Sequence, residues 1–331
     1  MSEAPASAFA SPPHARVLLR DASGGVRVVW IEPAIEAVRQ QSAFGEISSR
    51  AFGMASSFPF LALMLAGFVV PLLCVCAFSL MPPRTFSLAQ IPTLANYRII
   101  FEQGYLLSLS KSVALALATV GILLVVCYPL AFALAKVFRS GAALVTYAIA
   151  SSLFVSENIR LFGWVIGLMK GGVLAGISRQ LGLEVESWLY NVPVIIFGMV
   201  YVYLPFMLFP LALGLQMVPE QVREAAFDLG ASRWQVFRMI DVPLSMPGIV
   251  IGSVLVFVLS LGAIAEAKIL GGQKVVTIAA EIETAFTFGQ NWPLGSALAT
   301  MLIGITAVLV FALLRKIDFE RFLGRRLEAE P

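Results

Sequence analysis

Long uncharged runs of apolar residues alternate with short polar stretches through most of this chain, and their spacing sets the elements it predicts. A helix crossing a bilayer needs about 20 predominantly apolar residues. Phe58 to Leu80, Val113 to Leu134, Val192 to Met217 and Leu294 to Leu314 each qualify, and another run begins after Pro247 and reaches about Ile264. The remaining region, Ala142 to about Ser156, is shorter. It continues through Glu157 and Arg160 into the apolar stretch Leu161 to Met169, and reads as one span followed by a short helix at the membrane edge. Pro129, Gly198 and Pro205 inside these runs are compatible with helices, because neighbouring helices and side chains satisfy the freed backbone groups. The expectation is an all-α integral membrane protein with six transmembrane helices at 58–314, preceded by a polar tail at 1–57 and followed by a short tail at 315–331.

Composition sharpens this picture. Of 331 residues, 59% are hydrophobic and 13% charged, against roughly a quarter charged in soluble domains. The net charge of +3 is small and dispersed, and no basic stretch is interleaved with aromatics, which sets nucleic-acid binding aside. Cys74, Cys76 and Cys127 lie inside apolar runs with no CxxC spacing and His14 is the single histidine. They read as small apolar side chains packed between helices, and no metal site or cofactor is expected.

The tail has no cleavable apolar region near Met1, so it reads as mobile polar chain, not a signal peptide, with a short helix after Pro33. Lys and Arg concentrate on one side of the expected spans: Arg16 to Arg50 in the tail, Lys136 and Arg139, Arg223, Arg233 and Arg238, and Arg315 onward. The opposite side has Arg84, Arg98, Lys111, Lys170, Arg179 and Lys274. The excess on one side predicts that both termini face the cytoplasm.

One cytoplasmic segment, 218–247, is too polar to insert and too patterned for a linker. It reads Glu224-Ala225-Ala226, then Gly230, then Ile240-Asp241-Val242-Pro243. Pro219 and Glu220 open a helix, and Gly230 ends it in the left-handed conformation that glycine tolerates. Ser232 caps a second short helix, which Pro243 and Pro247 stop as the chain returns to the bilayer. Phe227, Trp234 and Phe237 offer apolar knobs beside Glu224, Arg233 and Arg238. Pattern alone allows either a docking feature or an amphipathic loop lying on lipid headgroups.

The spacing Glu224-Ala225-Ala226, Gly230, Ile240, Pro243 resembles the EAA loop in the permease subunits of binding-protein-dependent ABC importers, with Val242 standing where that pattern has Leu. The resemblance implies the six-helix ABC importer permease fold in a bacterial inner membrane, with the loop as a coupling helix seated in an ATPase subunit. Glu224, Ala225 and Ala226 would lie on the docking face, Gly230 would make the turn and Pro243 would mark the return to the membrane. Implied partners are two ATP-binding cassette ATPases, a second homologous permease, a periplasmic binding protein and membrane lipid.

Further short matches are similar to the spermidine/putrescine type: Asn96-Tyr97, Tyr203-Leu204-Pro205-Phe206, Pro243-Leu244-Ser245, Pro247-Gly248, Leu270-Gly271-Gly272 and Asn291-Trp292-Pro293. They imply polyamines or related small amines and opines as cargo. The chain departs from that type at Glu266-Ala267-Lys268, where Thr-Pro is common.

Glu157, Arg160, Glu266 and Lys268 are ionisable groups near span ends, where lipid burial is costly unless they pair or face water. Glu157, Arg160 and Glu266 are the candidates for a translocation path, against a reading in which Lys268 snorkels and the others form structural ion pairs. The sequence contains neither a GxxxxGK[ST] phosphate loop nor a GxSxG elbow. The chain therefore reads as a transport subunit powered by a partner, not as an enzyme. The alternative, an ion-gradient-driven secondary transporter using the same charges, predicts internal repeats, and none is evident.

Overall fold

The computed structural model describes residues 16–20, 26–30, 57–138, 141–182 and 187–315. The chain divides into two compact units, Met1–Leu72 and Leu73–Pro331. In the first, β1 (Arg16–Arg20) pairs antiparallel with β2 (Val26–Trp30), Leu18 opposite Val28. This hairpin departs from the expected tail. Its signal is two short apolar runs, Val17-Leu18-Leu19 and Val26 to Trp30, on either side of Gly24-Gly25. The helix expected after Pro33 and the carboxy-terminal tail beyond Arg315 lie outside the described residues.

All other described elements are helices. Ser57–Ser79 (α1) spans the boundary between the two units. The second unit continues with α2 (Ala95–Glu102), α3 (Tyr105–Phe132), α4 (Ala142–Ser151), α5 (Glu157–Leu168), α6 (Val173–Gln180) and α7 (Val192–Gln216). After these come α8 (Glu220–Asp228), α9 (Arg233–Val236), α10 (Val242–Leu244), α11 (Met246–Leu261), α12 (Ala265–Ile269), α13 (Ile278–Phe286) and α14 (Trp292–Arg315). Five helices are long and apolar enough to cross a membrane, and six if the bent pair Arg233–Leu244 and Met246–Leu261 is counted as one span.

The core lies between α3, α7 and α11. Leu123, Cys127, Met199, Met207, Leu208, Leu211, Leu215 and Val256 are fully buried there. Because lipid is as apolar as these side chains, close packing holds the helices together, and small residues let backbones approach. Gly214 of α7 faces Gly248 of α11: a Cβ on Gly214 would come within 2.9 Å of the Gly248 Cα. Of the cysteines, Cys127 is buried as expected, whereas Cys74 is exposed on α1.

One end of the bundle, called proximal here, gathers the end of α3, the end of α7 and residues 218–245. The distal end gathers the start of α3, the start of α7 and residues 262–291. There the Ser112 hydroxyl accepts the Ile278 N–H at 2.8 Å, and the Tyr190 N–H donates to the Leu270 carbonyl at 2.9 Å. Asn96 is buried and donates to the carbonyls of Ser79 and Met81 at 3.1 and 2.7 Å, satisfying free carbonyls at the buried end of α1. Asn291 accepts from the Arg84 N–H, and Trp292 packs edge-on against Phe78, Phe86 and Phe286.

The third crossing differs from its sequence reading. Ala142–Phe154 is shorter than a span by its length, reaching roughly 20 Å at 1.5 Å per residue, against a hydrocarbon core of about 30 Å. The backbone turns extended at Val155 and Ser156, then resumes as α5. Helix α4 starts at the proximal end, where the Ala142 N–H donates to the Phe138 carbonyl, and α5 ends distally, where the Leu168 carbonyl accepts from Trp188. By length and composition the stretch able to cross is Glu157–Gln180, α5 together with α6, so Glu157 and Arg160 stand in its first turn and not after a span formed by Ala142–Ser156.

Candidate functional site

At the proximal end α8 projects from the end of α7. Pro219 precedes its first turn, and Glu220 sits where an acid favours the helix N-terminus. It closes as the sequence predicts: Gly230 has φ +85°, its N–H donates to the Phe227 carbonyl at 2.9 Å, and the Ala231 N–H donates to the Ala226 carbonyl at 3.0 Å. That pair of bonds is the Schellman ending. Ser232 then forms a reciprocal capping box with Gln235.

Beyond α9 the outcome departs from expectation. The chain does not stop at Pro243 but winds through a π-helical turn, Phe237–Asp241, into α10, with Pro243 in its first turn. The direction changes by 64° between Leu244 and Met246. Proline early in a helix lacks only an N–H that would be unpaired anyway, so it permits the bend without breaking the winding.

Glu224 and Ala225 are exposed on the outer side of α8, and Ala226 is half-buried. Among the described residues Glu224 makes no ion pair. Trp234 is 67% exposed and stacks on Phe237 at 5.1 Å, while Phe237 turns edge-on to Tyr128 of α3 at 5.4 Å. Phe237 therefore anchors the loop to the bundle, and Trp234, Leu229 and Met239 form the free apolar surface. Ile240 is half-buried in the π turn and Pro243 is exposed. Between α3, α8 and the π turn lies an open groove of about 950 Å³, lined by Tyr128, Phe132, Phe227, Phe237 and Ile249 among others.

The inner side of α8 carries charges that sequence reading did not single out. Lys136 Nζ donates to the Val218 carbonyl at 2.7 Å and to Glu220 at 3.2 Å. Arg223 Nη1 donates to Glu220 at 2.7 Å, and its Nε lies 3.0 Å from Asp241 Oδ1, too poorly aligned for a hydrogen bond but a close ion pair. Burial alone would raise the Glu220 carboxyl, but hydrogen bonds from Arg223 and Lys136 outweigh it and hold the group below its ordinary value. Its contribution is present above the ordinary carboxylate pKa and is lost only as pH falls through the lowered one, so the link is charged at neutral pH.

A second cluster lies deeper. Glu266 on α12 is fully buried, its carboxylate lying against the Tyr203 hydroxyl of α7 without a well-aligned hydrogen bond. Glu157, Arg160 and Tyr203 act electrostatically on it, so the three candidate path residues are brought together. Gly198 of α7 leaves room for Leu270, which a Cβ there would strike, while Glu266 Cγ would stand at an ordinary contact distance of 3.6 Å. The Arg160 guanidinium lies 5.8 Å from the Tyr201 ring centre, and its Nε is buried without a hydrogen-bond partner. Lys268 Nζ pairs with Glu283 at 2.6 Å.

The chain is similar to proteins already known. A family model described as the inner-membrane component of binding-protein-dependent transport systems matches residues 34–322. The chain is 31% identical over 265 residues to the spermidine/putrescine transport system permease protein PotB of Haemophilus influenzae, covering 79% of this chain and 92% of that protein. It is 32% identical over 240 residues to PotB of Escherichia coli, covering 72% and 86%. A chain of the bacterial ABC transporter involved in import of the acidic polysaccharide alginate shares the fold, with TM-score 0.65 at 18% identity over 84% of this chain and 99% of that one. A structure of the bacterial alginate transporter in complex with its pentasaccharide-bound periplasmic protein also matches with TM-score 0.65 at 18% identity, over 82% and 95%.

Proposed function

This chain belongs to the family of binding-protein-dependent transport system inner membrane components, and from that premise we propose how its parts divide the work of an ATP-driven importer. It is a multi-pass inner-membrane permease subunit, and hydrolysis belongs to partner subunits. In our reading its cargo is a polyamine of the spermidine/putrescine type or a related small amine, handed over by a periplasmic binding protein. Two ATPase subunits and a second homologous permease complete the complex, within surrounding membrane lipid.

Residues 58–314 form the membrane domain in this reading, flanked by cytoplasmic tails at 1–57 and 315–331. The proximal end faces the cytoplasm, which Lys136, Arg223, Arg233, Arg238 and Arg315 support by their common position there. The loop 218–247 couples the ATPase to the spans, with Glu224, Ala225 and Ala226 on the docking face, Gly230 fixing the turn, and Ile240 and Pro243 setting the return into α11. The observation that carries this reading is the exposed, doubly capped helix-turn-helix. Both ends of its turn are tied by backbone and side-chain hydrogen bonds, so it moves as a unit.

The buried cluster supports a path for a cationic cargo. Glu157 and Glu266 outnumber Arg160, and a carboxylate without a cationic partner of its own is held at that depth where it serves function or finds a polar neighbour. The test is ATP-dependent uptake of labelled spermidine by proteoliposomes holding the complete complex and its binding protein. Glu266→Gln and Glu157→Gln should change uptake kinetics at least several-fold while the amount of complex in the membrane stays constant. Unchanged kinetics in both variants would make the cluster structural. Absence of competition by any polyamine would overturn the cargo assignment.

A further inference from the structure

The coupling loop is fastened to the bundle by a charge relay on its inner side. Arg223 is its centre: its side chain is 12% exposed, it reaches Asp241 and Glu220, and its guanidinium lies over Phe132 of α3 at 5.3 Å. Asp241, 3% exposed at the side chain, stands in the π turn that leads into α11. Glu220 passes the chain of contacts to Lys136, which also holds the Val218 carbonyl at the end of α7. Two positive and two negative groups thus join α3, α7, α8 and the turn before α11.

Both outlying members sit in π turns, Lys136 in Ala133–Val137 and Asp241 in Phe237–Asp241. A π turn adds one residue to the helical repeat, and one residue corresponds to about 100° of rotation at 3.6 residues per turn. Without that insertion, residues in register with the preceding helix would present a different side chain to Arg223. The two irregular turns therefore aim Lys136 and Asp241 into the relay. Breaking a buried pair leaves a charge without compensation, so α8 cannot tilt independently of the elements it is tied to.

We propose that Arg223, held by Asp241, is the positioning residue that carries displacement of α8 into α3 and α11. This rests on the coupling-loop reading above and extends it from the outer, docking side of α8 to its inner, transmitting side. Arg223→Met, Asp241→Asn and the double variant are introduced into the complete complex in proteoliposomes. Uptake and ATP hydrolysis are measured per assembled complex, with ATPase co-purification as a separate readout. The single variants should retain the ATPase subunits and hydrolyse ATP, yet transport at least tenfold less cargo per ATP. The double variant, which removes both buried charges, should likewise assemble without recovering that ratio. The charge swap Arg223→Asp with Asp241→Arg should restore at least a third of it, and this also serves if the single variants fail to insert. Normal cargo per ATP in the double variant, or a swap no better than Arg223→Asp alone, overturns the proposal. Gly230→Asp is run beside them. If it abolishes coupling while the double variant is normal, only the relay fails; if it too is normal, the loop assignment fails first.

Discussion

Gly214 and Gly248 meet where α7 crosses α11, and their missing side chains set the distance between two core helices. A Cβ on Gly248 would run into the Pro210 carbonyl and come within 2.9 Å of the Gly214 Cα, both of them backbone atoms that cannot swing aside. Gly248→Val should therefore destabilise the permease by about 1–3 kcal/mol through overpacking, read as a fall of several degrees in the melting temperature of the detergent-solubilised complex. An unchanged melting temperature would mean that the crossing is looser than its geometry. Gly230 contrasts with it, because nothing lies within 4 Å of a Cβ built there. Its constraint is the positive φ alone, costing an Ala about 1 kcal/mol, and that kind of constraint was legible in the sequence because it comes from the local turn. The contact of Gly248 with α7 joins distant parts of the chain, and no local pattern announces it.

At the scale of elements, local signals read well and long-range ones did not. Ser232 and Gln235 stand three apart ahead of an apolar turn, so the capped helix α9 was visible in order of residues. Ser232→Ala should cost about 1 kcal/mol and speed amide exchange in α9 about fivefold, measured by hydrogen–deuterium exchange on the purified complex. Exchange equal to the wild type would show that packing of Phe237 on Tyr128 holds α9 without its cap. The π turns were invisible, since Ala133–Val137 and Phe237–Asp241 have ordinary helical composition. The Lys136–Glu220 link could not be read either, joining residues 84 apart in sequence. The third apolar region divides differently from its sequence reading, because Glu157–Gln180 and not Ala142–Phe154 has the length and composition of a span. Hydropathy sees the apolar stretches on both sides of Glu157, but not that Glu266, delivered by a distant segment, gives the polar break a protein environment.

At the scale of the whole molecule, the proximal end concentrates positive charge and the exposed loop 218–247, while at the distal end Ser112, Asn96, Asn191 and Thr277 bond to backbone groups. A cysteine at position 232 should accordingly react with a membrane-impermeant maleimide only in inverted vesicles, and labelling in intact spheroplasts would reverse the orientation. The chain bends by 64° at its entry into α11, and under the proposed function this elbow is where displacement of α9 and α10 would pass to α11. The most direct measurement uses Gly230→Asp in the complete complex. An Asp at φ +85° strains the turn and sets a charge on the docking surface. With this subunit tagged, ATPase co-purification and ATP-driven uptake are measured together. The account predicts normal insertion into the membrane with uptake reduced at least tenfold and the ATPase released or uncoupled. Full ATPase retention together with normal uptake would contradict it.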